Sequence, residues 1–151
     1  FHAAIADSLA GDLRGGISCS VITESANVPH NGQHPIAFVT EEWDHGGVHD
    51  NGDPSHLTAP ASGTYSVVGY AEWQENVNGS RAISLRVNGV DGPPGWLAST
   101  WGPVTEFGGV NQNVSMIVRL GVGDYVELVA SQTSGVTLQA RARLAIVYLG
   151  R

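Results

Sequence analysis

The chain has 151 residues, of which 14% are charged and 20 are glycine; this length suits one domain, and this profile suits a turn-rich all-β protein better than a helical one. Seven basic residues against 14 acidic give a net charge of −7, which repels phosphate backbones and anionic lipid and so excludes nucleic acid and a membrane surface as natural partners. No apolar run reaches the roughly 18 residues that cross a bilayer, so no membrane insertion is expected.

Residues 1–16, FHAAIADSLAGDLRGG, stand apart. Ile5, Leu9 and Leu13 recur every four residues, one stripe of a short helix, and Gly15 and Gly16 would end it. This segment reads as an arm or short helix that docks on a partner, with a frayed terminus as the structural alternative. Phe1 is not an initiating methionine, so a removed targeting segment stays open.

From residue 17 to 151 the period changes to two. Ile17, Cys19 and Val21 alternate with polar residues, and the single Cys19 reads as a small buried hydrophobe. HPIAFV and SHLTAP are short extended runs. GTYSVVGYAEW is longer, with Tyr65, Val67, Ala71 and Trp73 on one face. RAISLRVNG sends Ile83, Leu85 and Val87 inward and Ser84 and Arg86 outward, and DYVELVA sends Glu127 outward. NVSMIVRL and ARLAIVYLG complete the set. Asn78-Gly79, Asn88-Gly89 and Gly123-Asp124 punctuate these runs. Short strands separated by such turns predict a sandwich or barrel.

Three strands are apolar on both faces. Val68 and Tyr70 lie on the second face of GTYSVVGYAEW, Ile117 on that of NVSMIVRL, and Ala145, Val147 and Leu149 on that of the last strand. A sandwich covers each sheet once, so these six residues are expected to meet another subunit. The alternative is cover by the N-terminal segment or a loop.

SHLTAPASGTYSVVGYAEW resembles the central strand pair of complement C1q-like domains, which share the tumour-necrosis-factor jelly roll. Leu57 is followed after five residues by Gly63-Thr64-Tyr65, and upstream Phe38 is followed after five residues by Asp44. SLRVNG, VRLGVGDYVELVAS and ARLAIVYLG resemble later strands of the same family, so the resemblance covers about residues 17–150. It departs at His49, where an aromatic residue or Leu is usual, and at Val67 and Gly69, where aromatics are. The pattern is closer to bacterial and phage versions. The resemblance implies an all-β C1q/TNF-like jelly-roll sandwich of two antiparallel sheets and a homotrimer built around one sheet of each copy. It also implies a virion or cell-surface setting, extracellular, as a tail-fibre tip holding a receptor or glycan or as a capsid decoration protein. Residues 1–16 would then link the module to other virion or cell-surface proteins.

Two stretches carry chemistry. WDHGGVHDNGDPSH holds three of the six histidines and three aspartates. Asp44, His45, His49 and Asp50 are the residues a divalent ion would take, with calcium favouring the aspartates and zinc the imidazoles; because some family members bind calcium, a site shared across the trimer axis is the version the resemblance implies. The plain alternative is a turn, which Asp, Asn, Gly and Pro build by themselves. DGPPGWLASTWGP places Trp96 and Trp101 in a Gly/Pro-rich connection. An exposed tryptophan offers a flat face to a sugar ring or an apolar partner, and the alternative is burial on the sandwich. Asn78-Gly79-Ser80 and Asn113-Val114-Ser115 match the glycosylation sequon but read as a hairpin turn and a strand start.

No G-x-S-x-G, phosphate loop, G-x-G-x-x-G or paired-cysteine metal site is present. A non-enzymatic module is the expectation. The alternative from another class is a metal-dependent cupin-like enzyme, a jelly roll that carries its ligands as His-x-His, which this sequence lacks.

Overall fold

The structure is a computed structural model and describes residues 16–91, 95–104 and 109–151. The expected N-terminal helix falls in residues 1–15 and lies outside them. Among the described residues ten strands run in chain order: β1 Ser18–Val28, β2 His34–Pro35, β3 Thr40–His45, β4 Leu57–Thr58, β5 Gly63–Trp73, β6 Ser80–Val87, β7 Trp96–Pro103, β8 Val110–Leu120, β9 Tyr125–Gln132 and β10 Leu138–Gly150. The first sheet is ordered β3-β1-β10-β5-β8. The second is ordered β2-β9-β6-β7, with β4 also on β9. Every pairing is antiparallel. The fold is therefore a two-sheet sandwich, as the alternation predicts, in the jelly-roll form that the resemblance implies. Among the described residues no helix is long and apolar enough to cross a membrane.

The ladders explain why the alternation works. Along β10, Leu138, Ala140, Ala142, Leu144, Ile146 and Tyr148 are buried while the residues between them are exposed or half-exposed. Along β5, Tyr65, Val67, Ala71 and Trp73 point the same way. They meet Ile83, Leu85, Val126 and Leu128 of the second sheet in one core. The turns fall at the expected pairs. Asn88 and Gly89 both have positive φ, and the Asn88 side chain accepts from the Tyr125 N–H at 3.0 Å and donates to Asp124 at 3.0 Å. This ties the β6 end to the β8–β9 turn.

Three expectations are corrected. HPIAFV and SHLTAP pair over only two residues each, His34–Pro35 and Leu57–Thr58. Pro35 lacks an N–H to continue a ladder, and the Phe38 N–H turns away to the Pro54 carbonyl at 3.1 Å. The connection around Trp96 and Trp101 contains a strand instead: β7 pairs with β6 from Arg86↔Trp96 to Ser80↔Pro103. Its flanking Gly and Pro residues are tolerated because β7 is an edge strand. Ser84, Arg86 and Glu127 lie on the outer face of the second sheet as expected but are buried. Arg86 and Glu127 sit opposite each other in the β6–β9 ladder and form an ion pair at 3.1 Å. Asp91 approaches Arg86 at 2.6 Å, and the Ser55 hydroxyl donates to Glu127 at 3.0 Å. Protein partners hold the two terminal nitrogens of Arg86 and the Glu127 carboxylate, while Arg86 Nε is buried without a hydrogen bond among the described residues.

The inward end of β6 carries a cation. Arg81 is fully buried and, among the described residues, has no carboxylate partner. Its guanidinium donates to the carbonyls of Asn76, Asn78 and Ser80 at 2.9 to 3.0 Å and lies 5.9 Å above the Trp73 ring. Burial pulls its pKa down. Three carbonyls and an aromatic face replace its hydration, and the β5–β6 turn is held by the same bonds.

Two tests follow. A Cβ on Gly63 would run into the Tyr148 ring and the Gly150 carbonyl. Gly63→Ala should therefore cost about 1–3 kcal/mol through overpacking, read as a lower denaturant midpoint with an unchanged slope. The Cys19 thiol is pushed up to about 12 by burial and then by the nearby Asp44 and Glu41 carboxylates. Native protein at pH 8 should leave Cys19 unlabelled by a thiol-disulfide reagent, with one equivalent reacting on unfolding; rapid native labelling would contradict this placement.

Candidate functional site

The outer face of the first sheet is assembled row by row from the ladder registers. One row runs Trp43, Ser20, Ala145, Val68, Ser115 across five strands, and the next runs Ser18, Val147, Ser66, Ile117. Val68 is 44% exposed, Val147 42%, Leu149 55% and Ile117 64%, with Ala145 and Tyr70 half-exposed. All six residues singled out from the strand pattern thus share one face. The parity of each strand dictates this, because its other face already fills the core.

Sequence reasoning missed one member. Trp43 sits near the end of edge strand β3, partly exposed, and its indole N–H donates to the Ser18 hydroxyl at 3.0 Å. It closes one edge of the apolar rows, while Ile117 on edge strand β8 closes the other. Its position four residues after Val39 in an alternating stretch was the available signal; the following Gly, Asp and Asn residues obscured it.

Beyond the Ala145 row the same face turns charged. Arg143 holds Glu42 at 2.9 Å and Arg141 holds Glu24 at 3.0 Å. The Ser20 hydroxyl donates to Glu42 at 2.7 Å, and the Tyr70 hydroxyl donates to Glu72 at 3.3 Å. Burial first, then Glu72, raises the Tyr70 pKa. Ile22, Glu24, Tyr70, Glu72, Arg141 and Arg143 line a groove of about 340 Å³. The face is therefore split along the strands into an apolar part and a paired-charge part.

The His/Asp-rich stretch is a turn organised by its own side chains. Asp44 accepts the Val48 and His49 N–H groups at 2.8 and 3.0 Å, one on each carboxylate oxygen. His49 is buried, its ring nitrogens each 2.9 Å from Glu41 Oε1 and the Pro54 carbonyl. His45 is exposed opposite Ser18. Asp50 accepts from the Gly52 and Asp53 N–H groups at 2.8 and 3.3 Å. Asp44, His45, His49 and Asp50 do not converge within one subunit. Among the described residues the set that does is Asp50, Asp53 and His56, with ligand atoms within 4.8 Å of one another. His56 stacks on Tyr125 at 3.7 Å and lies 3.6 Å from Glu127. Between the sheets the buried polar side chains include Arg81, Gln112 and Gln132; Gln112 accepts the Trp73 indole N–H at 2.9 Å and donates to the Arg81 carbonyl at 3.0 Å.

On the opposite side of the sandwich, Trp101 is 68% exposed in β7. The Trp96 backbone pairs with Arg86 in the same strand.

No family profile and no curated protein matches the sequence. Solved structures do match in shape. The globular domain of the zebrafish complement 1qA protein superposes with a TM-score of 0.66 at 19% identity, covering 89% of this chain and 98% of that one. Eiger TNF from S. frugiperda superposes with a TM-score of 0.61 at 13% identity, covering 89% and 92%. At these identities the likeness establishes the fold, a C1q/TNF-like jelly roll.

If His49 is a structural strut, His49→Ala should cost about 1–3 kcal/mol, because it leaves the Glu41 carboxylate and the Pro54 carbonyl without their partner. Thermal melts with excess chelator and with millimolar calcium should show the same loss. A deficit that appears only when calcium is added would mark His49 as part of an ion site instead.

Proposed function

We propose that this jelly roll is a non-enzymatic binding module that works as a homotrimer, with the outer faces of three first sheets packed around a shared axis. The observation that carries the reading is the exposed cluster of Val68, Ile117, Val147 and Leu149 on a sheet whose other face is already the core. Each of these side chains is about half buried in the single chain. Full burial is worth about 1.5–3 kcal/mol per side chain, so completing it adds about 1 kcal/mol each. Association costs on the order of 4–15 kcal/mol. The four aliphatics alone are marginal, and Trp43 and Tyr70 must be covered with them.

Two features favour a closed ring over a two-fold pair. The edges of the face differ, Trp43 on one side and Ile117 on the other, which suits a head-to-tail contact. The C1q/TNF-like fold is the second, through the trimer its resemblance implies. The ion-paired part of the face keeps Arg141 and Arg143 matched to Glu24 and Glu42 within one chain, while Arg119 at the β8 edge bonds the Thr64 hydroxyl.

The module is extracellular in this reading, displayed on a virion or a cell. Residues 1–16 attach it to the particle, and the surface away from the axis meets a receptor. A receptor-binding fibre tip and a capsid decoration protein are its two forms. A fibre tip should bind a host-surface glycan or protein. A decoration protein should come off purified capsids in stoichiometric amounts and leave a glycan array blank.

Val147→Glu tests the assembly. Its side chain is outside the core, so the variant should fold with a β-sheet circular dichroism spectrum like the parent but elute as a single chain by size exclusion with light scattering. A variant that stays trimeric would remove this face from the interface.

A further inference from the structure

The outer face of the second sheet differs in chemistry from the first. Trp101 pairs with Ala82, and Ala82 pairs with Ser131, so one row across β7, β6 and β9 reads indole, methyl, hydroxyl. Ser99 lies one row away on β7, exposed. Ser80 and Thr133 lie on the other side, their hydroxyls 3.0 Å apart. None of these six residues is charged. Ala82 and Ser131 are too small to cover the ring, which leaves the indole 68% exposed. Because Trp101 sits within a strand, the β6–β7 ladder fixes its place before any ligand arrives.

We propose that this row is a binding platform for a neutral glycan. A pyranose ring presents a flat C–H face that stacks on an indole, with hydroxyls at its rim that reach Ser and Thr side chains. The residues here match that division: one aromatic plane bordered by hydroxyls. A protein partner fits less well, because a stable protein interface buries roughly 800 Å² per side around an apolar centre, and among the described residues of this row one indole beside serines supplies no such centre. Acidic sugars fit less well too. The platform offers no cation, and the chain's net charge of −7 repels them. This inference rests on the proposed assembly only for multivalency: the platform lies on the far side of the sandwich from the first sheet's outer face, so three copies would point three platforms outward.

The test is an array of immobilised oligosaccharides, one set neutral and ending in galactose, glucose, mannose or N-acetylglucosamine, the other sialylated or sulfated. The parent protein should bind members of the neutral set. Trp101→Ala should lower that binding at least tenfold, Trp101→Phe should keep most of it, and Ala82→Gln should block it by standing beside the ring. The first and third variants act independently, so a folding defect in one leaves the other to decide. Binding confined to the acidic set, binding untouched by Trp101→Ala and Ala82→Gln, or no binding to any neutral glycan would overturn the proposal. A single-chain Val147→Glu protein should retain the Trp101-dependent signal, weakened by its lost avidity. A trimeric parent that ignores neutral glycans would refute the platform and leave the assembly standing.

Discussion

A two-layer sandwich can bury only one face of each sheet, and the first sheet of this protein is apolar on part of both. The rest of the molecule is arranged around that constraint. On the inner side, Leu144, Ile146, Tyr65 and Val67 are fully or almost fully buried. On the outer side, one residue further along the same strands, Ala145, Val147, Ser66 and Val68 form a surface of small and branched side chains. The strands' strict period of two makes the two sets inseparable: no register slip could hide the second set without exposing the first. Central strands β10 and β5 are fixed on both sides by long ladders, so this surface is rigid.

Polar groups are handled differently at each place they are buried. Arg86 and Glu127 answer each other across a ladder, with Asp91 and Ser55 adding bonds from outside the sheet. Arg81 has no counter-charge among the described residues and relies on three turn carbonyls and the Trp73 ring. The side chain of Gln132 donates to the Val28 and Val136 carbonyls at 2.9 and 2.6 Å and accepts the Ser134 N–H at 2.7 Å, closing the end of the sandwich where β9 turns into β10. Each is held by geometry that the sheets and turns supply, with Nε of Arg81 and of Arg86 left without a hydrogen bond among the described residues. The result is two unlike outer faces, one apolar and ion-paired, one aromatic and hydroxyl-rich.

The alternation of residues was enough to read β1, β5, β6, β8, β9 and β10 and to place Val68, Tyr70, Ile117, Ala145, Val147 and Leu149 on a common side. It could not show β7, because the Gly and Pro residues flanking Trp96 and Trp101 carry the signature of a loop, and an edge strand needs only one partner. Arg86 and Glu127 read as solvated because they meet each other from different strands, and Ser55 reaches Glu127 from 72 positions away in the chain. The acidic, histidine-rich stretch was ambiguous for a chemical reason. A carboxylate that caps two backbone N–H groups, as Asp44 does, has the same sequence appearance as one that holds an ion.

The account stands or falls on whether the outer face of the first sheet is covered by further copies. Sedimentation equilibrium of the unmodified chain at micromolar concentration measures this directly. The account predicts three times the mass of one chain, independent of concentration over that range. A mass of one chain would contradict it.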